Sequence, residues 1–352
     1  MITERPPAFS AAQTATARGS GTLRRVLARP SLPATVGLVV VVAFFAVQAP
    51  ELLSWAGLAG VLDTAAVLGV GGLAVALLMI AGQYDFSIGV VALASSLLSA
   101  LLITNAGWGT WPALLVSLAA ALCVGLVNGL LVVVTGVHSF LVTLATFLVL
   151  QGFTQVGAQT VAEPGRVHGH DAGWASASAV FDATLRIGIG RFHSSLLWWL
   201  GLTALATWAL WRTRSGNAVL ASGGARRAAR ELGVPVSATT VGLFCVTAAA
   251  GWLIGTFGLL STGSVQVGTL PALETAVDFL VVAVIGGCLL TGGFGSAVGA
   301  AVGSLLYAVA REGIILAGWD PRWFRTMLGV LLLVALLADG AVRRRLRAVP
   351  RS

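Results

Sequence analysis

The stretch from Phe86 to Ala162, FSIGVVALASSLLSALLITNAGWGTWPALLVSLAAALCVGLVNGLLVVVTGVHSFLVTLATFLVLQGFTQVGAQTVA, contains no Asp, Glu, Lys or Arg. At about 1.5 Å of rise per helical residue, it is long enough to cross a hydrocarbon core of about 30 Å three times. Its apolar residues run continuously and do not alternate, so each crossing is read as a helix, which satisfies its own backbone groups, and not as a barrel strand. The rest of the chain repeats this pattern. Its 352 residues are 57% hydrophobic and 10% charged, with a mean hydropathy of +0.93, far from the composition of soluble domains.

The expected fold is all-α: a polytopic integral membrane protein with about ten transmembrane helices. The crossings are placed at about 32–49, 62–80, 87–104, 112–134, 139–158, 194–212, 238–260, 275–290, 296–315 and 324–340. Met1–Pro30 reads as a disordered tail, residues 31–340 as the transmembrane domain, and 341–352 as a basic tail. An even number of crossings puts both ends on one side. Five arginines lie in the amino tail, five between Arg212 and Arg230, and five between Arg343 and Arg351. Thus fifteen of 21 share one face, which the positive-inside rule makes cytoplasmic. Trp108, Trp111, Trp198, Trp199, Trp319 and Trp323 fall at external helix ends, and Trp208 and Trp211 at an internal one, as an interfacial belt requires. The eighth crossing is short and begins with Glu274 and Asp278, so a broken or re-entrant segment is open there.

A net charge of +8 raises the question of nucleic acid, but the arginines sit at loops and ends, where membrane orientation accounts for them. There is no lysine, so the chain has no Walker A loop of its own, and ATP would have to be hydrolysed elsewhere. The most polar internal segment, 213–237, contains SGNAVLASGGARRAARELGVP from Ser215 to Pro235. Within it Ala225–Leu232 reads as a short helix, with Arg226 four residues from Arg230 and Arg227 spaced to meet Glu231. Gly223, Gly224 and Gly233 flank it as hinges. Two readings stay open: a helix that docks on a soluble partner, or a solvated loop.

Ala81–Gly89, AGQYDFSIG, is a polar break between apolar runs, and Asp85 is its only charge. A carboxylate at the bilayer is costly unless paired or functional, so Asp85 is either a site residue or a cap for the helix that follows. Thr291–Gly303, TGGFGSAVGAAVG, lacks phosphate-loop spacing, and Gly295, Gly299 and Gly303 read as a close-packing helix face. Gly82, Tyr84, Ile88 and Gly89 match Gly292, Phe294, Val298 and Gly299 in order, which hints at an internal repeat. His138, His168, His170 and His193 are scattered, and no catalytic spacing or metal set is found. Cys123, Cys245 and Cys288 read as small core residues.

Four stretches together resemble the permease subunits of bacterial ABC importers of the ribose, xylose and arabinose class, over about residues 50–340. The break resembles that family's G-G-x-D-L-S-V-G at Gly82, Asp85, Ser87 and Gly89. Val127–Thr146 resembles N-G-L-L-V…P-x-F-I-V-T-L-G-T at Asn128, Gly129, Phe140, Val142, Thr143 and Thr146. The loop Gly216–Val234 resembles the family's ATPase-contacting segment, and Asp278–Ser296 its D-x-x-A-A-V-V-L-G-G-x-x-L-x-G-G-x-G-S. The chain departs from these patterns at Gln83, Tyr84, Ala225 and His138-Ser139.

The resemblance implies a translocation pathway involving Asp85, Ser87, Asn128, Phe140, Thr143, Thr146 and Asp278. It also implies coupling to an ATP-binding ABC subunit through Gly223, Gly224, Arg226, Arg227, Arg230, Glu231 and Gly233. ATP and Mg would be bound by that partner, with no cofactor on this chain. An extracytoplasmic solute-binding protein would dock near Arg311, Arg322 and Arg325, and a second permease, identical or not, would complete the pore. The alternatives are an importer of a nucleoside, inositol or branched-chain amino acid, or an ion-coupled secondary transporter. The latter class generally carries paired acids in mid-membrane.

Overall fold

The computed structural model describes residues 31–159, 171–265 and 269–348. The amino tail 1–30, His168, His170 and residues 349–352 lie outside the described residues. The described helices include one over every expected crossing: α1 (Leu32–Gln48), α2 (Trp55–Ile80), α3 (Ile88–Thr104), α4 (Thr110–Thr135) and α5 (Ser139–Ala158) in the first half. Next come α6 (Ala172–Phe181), a hairpin of β1 (Thr184–Ile187) and β2 (Gly190–His193), and α7 (Ser195–Arg212). The chain closes with α8 (Arg214–Gly224), α9 (Arg226–Glu231), α10 (Val236–Thr262), α11 (Thr269–Ile285), α12 (Ala297–Leu316) and α13 (Trp323–Ala348). Of these, α2, α4, α5, α10 and α12 are long and apolar enough to cross a membrane by length and composition. The protein is a helical, multi-pass membrane protein.

Several boundaries move for identifiable reasons. Helix α2 starts at Trp55 and not at 62, because Ser54 Oγ accepts the Gly57 N–H at 3.1 Å and caps an earlier first turn. Helix α11 runs unbroken from Thr269 and stops at Ile285, short of 290, where Gly286 and the left-handed Gly287 (φ 89°) end it. It is a continuous helix of 17 residues with the break behind it. Helix α13 continues to Ala348, so the basic tail is helical over 341–348.

Between the expected crossings at 139–158 and 194–212, the described residues form α6 and the hairpin. Asp171 Oδ1 accepts the Trp174 N–H at 3.0 Å and caps α6. The same carboxylate accepts the Thr110 hydroxyl at 2.6 Å and its N–H at 3.2 Å, pinning α6 to the start of α4. The hairpin turns on Gly188-Ile189, with Gly188 at φ 60°, the positive first position that a two-residue turn favours.

Helices α2 and α10 form the enclosed centre, whereas α4 and α5 leave side chains such as Val134 and Phe153 exposed on the outside of the bundle. Hydrophobic burial drives little association in lipid, and tight backbone contact takes its place. A Cβ at Gly125 of α4 would come within 2.5 Å of the Phe244 carbonyl of α10. Cys288 is a buried core thiol, but Cys123 is exposed on α4 and is not a core residue.

Candidate functional site: a buried polar chain, a glycine junction and an open cavity

The residues singled out between α2 and α5 come together in one chain of hydrogen bonds. Asp85 Oδ1 accepts the Ser87 N–H at 2.8 Å and the Ser87 hydroxyl at 2.6 Å, and Oδ2 accepts the Thr247 hydroxyl of α10 at 2.6 Å. Asn128 of α4 donates Nδ2–H to Ser87 Oγ at 3.0 Å, and its Oδ1 accepts the Thr146 hydroxyl of α5 at 2.6 Å. Two hydroxyls of α5 serve the backbone of the break. Thr143 Oγ1 accepts the Phe86 N–H at 3.1 Å, and Ser139 Oγ accepts the Tyr84 N–H at 2.9 Å. Phe140 is exposed and stands edge-on to Phe86, with ring centroids 5.0 Å apart.

Asp85, Ser87, Asn128 and Thr143 are each no more than 5% exposed. Asp85, Ser87 and Asn128 satisfy one another, and Thr143 accepts the Phe86 N–H and donates to the Ser139 carbonyl, as buried polar groups must be paired. Asp85 therefore holds Ser87, the residue just before α3, and is the tie that joins the break to α10. Thr247 is the member that reading the sequence missed. A lone threonine in an apolar run gives no signal until its facing is known.

The break meets a second one. Gly82 (φ 75°) and Gly292 (φ 79°) are both left-handed, and each closes a bond three residues back: Gly82 N–H to Met79 O at 2.8 Å, and Gly292 N–H to Leu289 O at 3.1 Å. Each leads into a helix, α3 or α12, so the repeat hinted at by the glycines extends to backbone conformation. The Tyr84 hydroxyl donates to the Leu290 carbonyl, and Gly293 donates its N–H to Ile80 O at 2.8 Å, joining the two breaks directly. The end of α8 fits against this joint. A Cβ on Gly223 would lie 1.9 Å from Ile80 O and 2.5 Å from Gly293 N, so only glycine allows the approach. Of the expected glycine face on α12, Gly303 presses on Val282 of α11 and Gly299 on Gly286 just past its end, while Gly295 precedes the helix.

Beyond Gly223 and Gly224 the expected short helix is present as α9, and the segment before it is also helical, as α8. Thr213 starts α8 by accepting the Gly216 N–H at 3.1 Å on its hydroxyl. In α9, Ala229 is buried while Arg227, Arg230 and Glu231 are exposed, and Gly233 (φ 78°) ends the turn. No ion pair joins Arg227 to Glu231 among the described residues, since both heads reach solvent. Arg226 is half-buried, and its Nε has no acceptor. Partial burial and the neighbouring Arg230 lower its pKa from the usual arginine value.

At the opposite end of the bundle, Arg325 of α13 donates to Asp278 at 2.7 Å and to Glu274 at 2.6 Å, both on α11. Tyr307 of α12 hydrogen-bonds to Asp278 and meets Phe324 edge-on, with centroids 4.9 Å apart. These groups and Arg311 line a cavity of about 360 Å³ that reaches Pro321 in the α12–α13 turn. Asp278 thus stands apart from the Asp85 chain. Arg322 pairs with Asp320 at 2.8 Å within the exposed turn, and this contact lowers the Asp320 pKa. Glu274 lies four residues before Asp278 on one helix face, a spacing that marks the acid pair in the sequence. Tyr307, one of two tyrosines, stands in an apolar run and gave a fainter sign.

Residues 57–336 match a family model described as the branched-chain amino acid transport system / permease component. Among curated proteins, the galactose/methyl galactoside import permease protein MglC of Escherichia coli (strain K12) is 29% identical over 86% of this chain and 92% of its own length. The fructose import permease protein FrcC of Rhizobium meliloti is 29% identical, covering 89% of this chain and 87% of its own. The ribose import permease protein RbsC of Escherichia coli (strain K12) is 26% identical over 86% of this chain and 92% of its own. No solved structure matches. The matched span takes in both breaks, the Asp85 chain and the α8–α9 segment, and on this extent the chain belongs to the permease components of ABC importers, multi-pass proteins of the cytoplasmic membrane that are not themselves enzymes.

Proposed function

We propose that the chain forms the translocation pathway of an ATP-driven importer for a monosaccharide or similar small polar solute. In this reading it crosses the membrane ten times with both termini cytoplasmic. Ten helices at the expected crossings and fifteen of 21 arginines on one face support that topology. The three relatives named for galactose, fructose and ribose favour a sugar over the branched-chain amino acid in the family's description.

The observation that carries the coupling role is the seat of Gly223 between Ile80 and Gly293. An ATP-binding subunit that grips Arg227, Arg230 and Glu231 would push α8 against both breaks at once. Arg226 Nε, without an acceptor in this chain, is suited to meet one on that partner. ATP and Mg belong to the partner. A second permease, identical or different, completes the pore, and the exposed Arg322 faces an extracytoplasmic solute-binding protein. Arg325, paired with two acids, and Arg311 line the cavity at the same end as Arg322. The Asp85 chain would then hold the break rigid and not contact solute.

Reconstituting the permease with its ATPase and binding protein tests this reading. Arg227→Glu and Arg230→Glu should each lower solute uptake per ATP hydrolysed by about tenfold or more, the scale of a lost interfacial charge contact, with normal membrane insertion. Uptake at the wild-type rate in both variants would remove α9 from the coupling role.

A further inference from the structure

We infer that the cavity between α11, α12 and α13 is a binding site for a neutral polyhydroxy solute of monosaccharide size. The inference rests on the importer reading and names where the solute pauses. The cavity, about 360 Å³, falls at the low end of the roughly 300–1,000 Å³ of small-molecule sites.

Its charges cancel. Glu274 and Asp278 supply two carboxylates, and Arg311 and Arg325 supply two guanidiniums. Moreover, the opposite charges are already joined: Arg325 holds Asp278 at 2.7 Å and Glu274 at 2.6 Å. A charged solute could reach Arg325 and its two acids only by breaking this bridge, which is costly where the groups are partly desolvated, and Arg311 is the one lining charge outside it. A polyol can bind beside the Arg325 bridge without opening it. Each carboxylate has an oxygen beyond the one that accepts from Arg325, and a planar guanidinium and a phenol sit beside them, so neighbouring hydroxyls find donors and acceptors together. Phe324 adds an apolar flank for the C–H face of a ring.

Position agrees with this assignment. Asp278 lies in the second half of α11 and Tyr307 mid-way along α12, so the site is set into the bundle, while Pro321 marks its open end. Within the cluster Asp278 is the buried member, and a buried carboxylate is costly to keep without a partner or a use.

Uptake by the complete transporter, assayed with radiolabelled galactose, fructose and ribose and with leucine as the amino-acid arm, tests the inference. Glu274→Gln and Phe324→Leu should raise the KM for the transported sugar by at least about tenfold, as expected for one or two lost contacts, with a smaller change in kcat. Tyr307→Phe should change the order of preference among the three sugars. If the wild type carries sugar and all three variants keep its KM and preference, the cluster is only an interhelical tie and the inference fails while the importer reading stands. If the wild type carries leucine and no sugar, both fail.

Discussion

The hydroxyl of Thr247 in α10 donates to Asp85 Oδ2 at 2.6 Å, so the one charged group of the first break is fastened to the helix that follows the α8–α9 segment. Thr247 is fully buried, and no water can replace it without room being made. Thr247→Val keeps the shape and removes the donor. The expected loss is about 1–3 kcal/mol for leaving a buried acceptor short of a partner. Thermal unfolding of the purified protein in detergent measures it, with Thr247→Ser retaining most of the wild-type value. An unchanged melt for the valine variant would mean that the bond contributes nothing.

Thr146 sits at the far end of the same chain, on Asn128 Oδ1 at 2.6 Å. Members of one hydrogen-bond network do not act independently, and coupling energies of about 0.5–3 kcal/mol are usual for them. A double-mutant cycle of Thr146→Val and Thr247→Val should therefore be non-additive by at least about 0.5 kcal/mol. Strict additivity would show two separate bonds and no chain.

Gly223→Ala would put a methyl group 1.9 Å from the Ile80 carbonyl, backbone that cannot step aside. Overpacking costs about 1–3 kcal/mol or more, so this variant should lose stability or coupled transport. Gly242→Ala in α10, where nothing lies within 4 Å of the added carbon, is the control and should behave as the wild type. Equal behaviour of the two variants would contradict the tight seat.

Asp171 gives a pH signature outside the membrane spans. Hydrogen bonds from Thr110 lower its pKa from the ordinary carboxylate value. A folded-state pKa below the unfolded one gives stability that is present above about pH 3.9 and is lost as pH falls through the folded value. The melting temperature should drop more steeply on acidification for the wild type than for Asp171→Asn, in which that position no longer titrates. Parallel curves would rule out the contribution.

The helices were legible in the sequence because apolar runs of membrane length have one solution for their backbone groups. The stops at Gly286 and the early start at Ser54 were less so, since capping depends on which side chain turns back on the chain. The hairpin at 184–193 was missed although Gly188-Ile189 is a two-residue turn signal, because its strands are only four residues each. Site residues divide along the same line. Asp85, Ser87, Asn128, Thr143 and Thr146 could be picked out by motif, but that they face one another, and that Thr247 joins them, depends on helix rotation, which an all-round apolar helix does not encode. His193 is a further case. It ends β2 with Nδ1 2.6 Å from Asp63 Oδ2 of α2, a partner far away in sequence.

Gly82, Gly223 and Gly292 touch without a side chain among them, so the place where they meet has no padding to absorb a stroke. Under the proposed coupling, a push on Gly223 would therefore bear on both glycine turns together, because backbone lies against backbone at each contact.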